Sequence, residues 1–107
     1  MTHMQELMNT IQLLAANEMD RANKVFPEFR SKHEAIGVLD EELFEMATDL
    51  KNVEECSDEL HKAVYRDGFL KDKVQNLEAA LTAALAEGIQ CIAMCKKFRV
   101  YLEDRNE

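Results

Sequence analysis

One proline and three glycines in 107 residues leave almost nothing to interrupt a helix. The chain is therefore read as a few long helices, whose ends fall at its few breakers and capping residues. Thr2 with Gln5 three residues on fits the start of a first helix, running through Leu7, Ile11, Leu14 and Met19 towards Val25. Phe26-Pro27 ends it. Ser31-Lys32-His33-Glu34 reads as a capping box opening a second helix, with the serine accepting from the Glu34 amide and the glutamate reaching back to the serine amide. From there Ile36, Leu39, Leu43, Met46, Leu50, Val53, Leu60 and Val64 recur at steps of three and four, broken only by Ser57.

Arg66-Asp67-Gly68 marks a turn, with the glycine expected in a left-handed conformation and the aspartate starting the next turn. A third helix follows with the same spacing, at Leu70, Val74, Leu77, Leu81, Ala84, Gly88, Cys91, Cys95, Phe98 and Leu102. Two matching seams joined by a tight turn predict an antiparallel hairpin. The expected fold is all-α, a single domain over residues 1–107, with a short N-terminal helix and a long helical hairpin.

Composition narrows the function. The sequence is 47% hydrophobic and 32% charged, which suits one soluble domain. A formal net charge of −8 leaves no basic track for a phosphate backbone, so nucleic-acid binding is not expected. Cys56, Cys91 and Cys95 lack the spacing of a disulfide framework or zinc knuckle and read as reduced, packed thiols. The opening Met1-Thr2-His3-Met4-Gln5-Glu6 has no basic region of a secretory signal, and the expected compartment is the cytoplasm.

Residues 79–95 carry a single charge, Glu87. A helix apolar on nearly all sides is normally covered on all sides, which one hairpin and one further helix do not provide, so a homo-dimer or homo-tetramer is expected. Glu87 and Gln90 interrupt this run, and membrane insertion is disfavoured. A carboxylate in such a stretch needs a cation, a metal or a proton.

Counting outward from the turn locates that partner. Glu45 lies 22 residues before Asp67 and Glu87 lies 19 after Gly68, about 33 and 29 Å from the turn at about 1.5 Å per residue. Glu42 and Gln90 fall in the same layer. Each pair, Glu42/Glu45 and Glu87/Gln90, is spaced i, i+3 on one helix face, and Asp49 continues the first face. Oxygen ligands of this type suit Mg²⁺, with Mn²⁺ as the second choice. Two plainer readings stand beside this: a solvated acidic face at Glu41, Glu42, Glu45 and Asp49, and a Glu87 paired at a subunit interface with Lys97 or another subunit's arginine.

At these residues the sequence resembles the all-α nucleotide pyrophosphohydrolases of the MazG and dimeric dUTPase superfamily, whose signature is E-x-x-E on one helix and E-x-x-D on the next. Glu42-Leu43-Phe44-Glu45 matches the first half, and Glu87-Gly88-Ile89-Gln90 the second with glutamine for aspartate. The phrases His33–Glu42 and Ala86–Phe98 look like small phage and prophage proteins with a MazG-like core, and the likeness covers roughly residues 22–100. The interval between Glu45 and Glu87 exceeds the usual family gap, consistent with both helices extending towards the turn.

The resemblance implies a dimeric or tetrameric helical bundle that hydrolyses a nucleoside triphosphate to the monophosphate and pyrophosphate. Glu42, Glu45 and Glu87 would be Mg²⁺ ligands and Gln90 would occupy the fourth ligand position. Glu41 or Asp49 would orient the attacking water. Lys97, seven residues after Gln90 on the same face, is the best phosphate contact, ahead of Lys96, Arg99 and Lys24. Two other readings compete with the enzyme: a degenerate MazG-like phage protein acting as a helical binding or regulatory module, and a purely structural helical oligomer.

Overall fold

The computed structural model describes residues 1–66 and 68–107. They form three helices, α1 (His3–Val25), α2 (Lys32–Tyr65) and α3 (Leu70–Asp104). At α1 both halves of the expected capping box are made: the Gln5 amide donates to Thr2 Oγ1 (3.1 Å) and the Thr2 amide to Gln5 Oε1 (2.8 Å). At α2 the Glu34 amide donates to Ser31 Oγ (3.1 Å), but the Glu34 carboxylate takes the Arg30 amide (3.1 Å) instead of the serine amide. The connection between α1 and α2 is thereby tied down one residue earlier than the sequence motif implies.

Gly68 is not left-handed; among the described residues a positive φ occurs at Asn106 (56°). The Asn106 and Glu107 amides donate to the carbonyls of Glu103 (3.2 Å) and Leu102 (2.9 Å), the paired bonds that close a helix through a left-handed residue. Gly68 instead donates its amide to the Ala63 carbonyl (2.9 Å), and a Cβ there would stand 3.3 Å from the Ala63 Cβ. The reading of Asp67 as the start of the next turn falls outside the described residues. α3 begins at Phe69 without a side-chain cap.

The α2–α3 hairpin is antiparallel and α1 lies on α3. Phe29, from the α1–α2 connection, plugs the open end of the hairpin. Its ring meets Phe98 and Tyr101 edge-on at 6.4 and 6.5 Å, in a cluster with Ala35, Ala93 and Met94. Met19 and Ala22 of α1 pack against this cluster.

The apolar seams do not close as the sequence suggests. On α2, Leu39, Met46, Val53 and Leu60 are half-buried, whereas Ile36, Leu43, Leu50 and Val64 are exposed. The positions one residue earlier, Ala35, Glu42, Asp49 and Ala63, turn inwards in their place. On α3, Ala80 and Ala84 are buried while Val74, Leu81 and Leu85 stay exposed. A seam has two edges, and a hairpin supplies a neighbour for only one of them. α1, at 23 residues against 34 and 35, covers another flank of α3, the one bearing the fully buried Ala93.

Candidate metal centre

Glu42 and Glu45 sit one turn apart on α2, and Glu87 faces them from α3. One carboxylate oxygen from each lies within 4.8 Å of the others. Helix geometry accounts for this meeting: the i, i+3 pair shares a face, and the antiparallel hairpin sets Glu87 at the same height. Gly88 lets the helices approach beside it, since a Cβ there would stand 3.3 Å from Met46 Cε.

Glu42 and Glu87 are half-buried and Glu45 is exposed. The Oε2 atoms of both Glu42 and Glu87 are buried without a hydrogen-bond partner. Among the described residues no lysine, arginine or histidine lies within ion-pair distance of the three. Burial pushes the Glu87 carboxyl up, and the charges of Glu45, Glu42 and Asp49 add to the effect. Glu42 is raised by burial first and then by the charge of Glu45, while the adjacent Glu87 carboxyl partly opposes the shift. One proton shared between these carboxyls, or one cation among them, would relieve the repulsion.

The other sequence candidates lie around this trio. Asp49 is half-buried on the same α2 face and contributes to the field on Glu87. Glu41 and Gln90 line a cleft of about 730 Å³ that also reaches Glu42. Its walls are the end of α1, the connection carrying Phe26 to Arg30, the start of α2, and Met94 and Lys97 of α3. Lys24, Lys96 and Arg99 are not on these walls.

Lys97 lines the cleft but is already engaged. Its Nζ donates to the Phe26 carbonyl (2.6 Å) and lies 4.6 Å from the centre of the Phe29 ring. It is buried, and that burial lowers the ammonium's pKa while Glu34 partly opposes the shift. Lys97 is therefore not the counter-ion of Glu87. Two further cations on the walls, Arg21 and Arg30, were not among the sequence candidates, and they face Glu18 and Glu34 respectively. Their i, i+3 and i, i+4 spacing to acids was legible; their position on the cleft depended on how the connection folds back.

Comparison with protein-family models, with curated proteins and with solved structures finds no match to this chain. The chemistry of the site thus rests on its own geometry.

Proposed function

We propose that the protein is a Mg²⁺-dependent nucleoside triphosphate pyrophosphohydrolase, releasing the monophosphate and pyrophosphate, with Mn²⁺ as an alternative ion. The observation that carries this reading is the carboxylate trio of Glu42, Glu45 and Glu87, with two buried oxygens lacking donors and, among the described residues, no basic partner. Such a set fits a hard divalent cation, which supplies charge neutralisation at phosphate oxygens and a more acidic water.

Glu42, Glu45 and Glu87 would hold the ion, and the neutral amide oxygen of Gln90 would complete the set. Glu41, exposed on the cleft wall, or Asp49, one turn beyond Glu45, would accept a proton from water and orient it. In the reaction the water oxygen bonds to the α-phosphorus as the bond from that phosphorus to the α,β-bridging oxygen breaks. The cleft, with Phe26, Phe29 and Met94 beside Arg21, Arg30 and Lys97, offers apolar and cationic walls to a nucleotide. A nucleotide substrate accords with a cytoplasmic setting.

A second reading is favoured by Gln90: a helical binding or structural module, phage-associated by resemblance, that has lost efficient metal chemistry. Assay of pyrophosphate release across canonical and modified nucleoside triphosphates, with Mg²⁺ and with Mn²⁺, separates the two. Release that disappears in Glu45→Gln supports the enzyme. Silence with both ions across the panel rejects it in favour of the module.

A further inference from the structure

Lys97 is a buried amine on the wall of the cleft, only 7% exposed. Lysine is almost never buried to that degree without a carboxylate beside it. Yet among the described residues no carboxylate lies within ion-pair distance of this ammonium. Its neighbours are the Phe26 carbonyl, which accepts a hydrogen bond at 2.6 Å, and the Phe29 ring, 4.6 Å away. Both are uncharged, so neither holds the proton on as a carboxylate would. Burial lowers the Lys97 pKa, with the field of Glu34 opposing in part, whereas a lysine at its ordinary value of 10.5 is almost wholly protonated at neutral pH. The nitrogen therefore presents a lone pair more often than a surface lysine does, and the free amine is the nucleophile.

The cleft limits what reaches it. About 730 Å³ is room for a small organic molecule, and Val25, Phe26, Phe29, Val38 and Met94 give that space apolar walls. Its charged residues are Glu18, Glu28, Glu34, Glu41 and Glu42 against Arg21, Arg30 and Lys97, so without a metal ion the acids outnumber the cations. Such a space repels an anion and accepts an uncharged apolar molecule.

We propose that Lys97 is a carbonyl-capturing amine, and that the cleft takes an uncharged aldehyde with an apolar body, joined to the lysine as an imine. The nitrogen lone pair adds to the aldehyde carbon, and the π pair of the carbonyl moves onto its oxygen. Both amine hydrogens leave with that oxygen as water, and a C=N bond replaces the C=O bond. No oxidant or reductant is consumed. A proton from solvent converts the imine to an iminium, whose N–H is donated to the same Phe26 carbonyl and whose charge lies over the same Phe29 ring. The contacts that hold the ammonium thus hold the product, and the acids on the walls favour its charge. The inference does not rest on the proposed hydrolysis, since the capture requires neither metal nor nucleotide.

Reductive trapping tests it. The full chain, without metal, is treated at neutral pH with benzaldehyde and cyanoborohydride, which reduces an iminium to a stable secondary amine, and the labelled lysines are mapped by peptide mass spectrometry. Lys97 is expected to label about tenfold faster than the exposed Lys24 and Lys51, because a desolvated amine is the better nucleophile. Para-carboxybenzaldehyde, the same ring with a negative charge, is expected to lose that preference. Labelling of wild-type Lys97 no faster than Lys24 and Lys51 would overturn the proposal, whatever the folding of any variant. An equal or greater preference of Lys97 for the carboxylated aldehyde would overturn the uncharged ligand class. In Lys97→Arg, which keeps a cation but no nucleophile, the fast site is expected to vanish; its persistence would place the reactive amine elsewhere and overturn the assignment.

Discussion

Glu42 and Glu87 meet across the α2–α3 contact with a carboxylate oxygen of each within 4.8 Å of the other, and each keeps an Oε2 buried with no donor. Two half-buried acids in that relationship oppose folding when both are ionised. The same arrangement gives a divalent cation its ligands. The cost in the metal-free protein and the capacity to bind are one physical fact.

The cost is testable through pH. A carboxyl whose pKa is raised in the folded state favours folding below the ordinary glutamate value of 4.5, and that contribution is lost as pH rises through the raised value. Without metal, Glu87→Gln is expected to be more stable than wild type at pH 7 by about 1 kcal/mol, or about 5 °C in Tm. The difference should shrink towards pH 4. Thermal melts across that range decide it, and a variant less stable at pH 7 would show that the Glu87 charge is favourably paired.

Ion binding should reverse the order. Mg²⁺ or Mn²⁺ at about 100 times Kd is expected to stabilise wild type by about 2.7 kcal/mol and to leave Glu87→Gln nearly unchanged. Gln90→Asp adds an anionic oxygen at the same helix position and should tighten binding about tenfold, or about 1.4 kcal/mol. Calorimetric titration measures both. Equal affinity in Gln90→Asp would remove residue 90 from the ligand set.

Lys97 presents the opposite titration. Its pKa is lowered by burial, so its contribution to folding is present above 10.5 and lost as pH falls through the lowered value. Lys97→Met keeps the aliphatic length and frees the Phe26 carbonyl to bind water. The variant is expected to be more stable at pH 7 by up to about 1 kcal/mol, with the advantage fading as pH approaches 10.5. Denaturant titration at both pH values reads this out; a loss near 2 kcal/mol at pH 7 would make the Lys97–Phe26 bond the main tether of the connection.

Phe29 is the anchor of that connection. Buried among Phe98, Tyr101 and the Lys97 ammonium, it is expected to cost about 3 kcal/mol on replacement by alanine. The cleft wall should loosen with it. Hydrogen exchange would show faster amides from Phe26 to Ser31, and unchanged protection there would mean that the backbone caps alone hold the segment.

The two halves of the candidate centre were legible because their spacing is local. Glu42 and Glu45 share a face by helix geometry alone, and the turn at Gly68 sets the height at which Glu87 arrives. The cleft was not legible in the same way. Its wall depends on Phe29 inserting between α2 and α3, a contact between residues remote in sequence, and nothing in the periodicity of residues 26–31 announces it. Lys97 illustrates the difference: its position on the face of Gln90 followed from counting, but the carbonyl that occupies its ammonium belongs to the connection.

The sequence by itself determined three helices and their approximate ends, because breakers and caps act over a few residues and an uninterrupted run of helix formers has no other regular structure available. Tertiary structure decided which edge of each apolar seam is covered. A periodic stripe specifies that a surface must be buried, but its rotation about the helix axis is set by the neighbour it meets. In this hairpin α2 and α3 settle on the row containing Ala35, Glu42, Asp49 and Ala63, which brings the acids together and leaves Leu43 and Leu50 facing outwards.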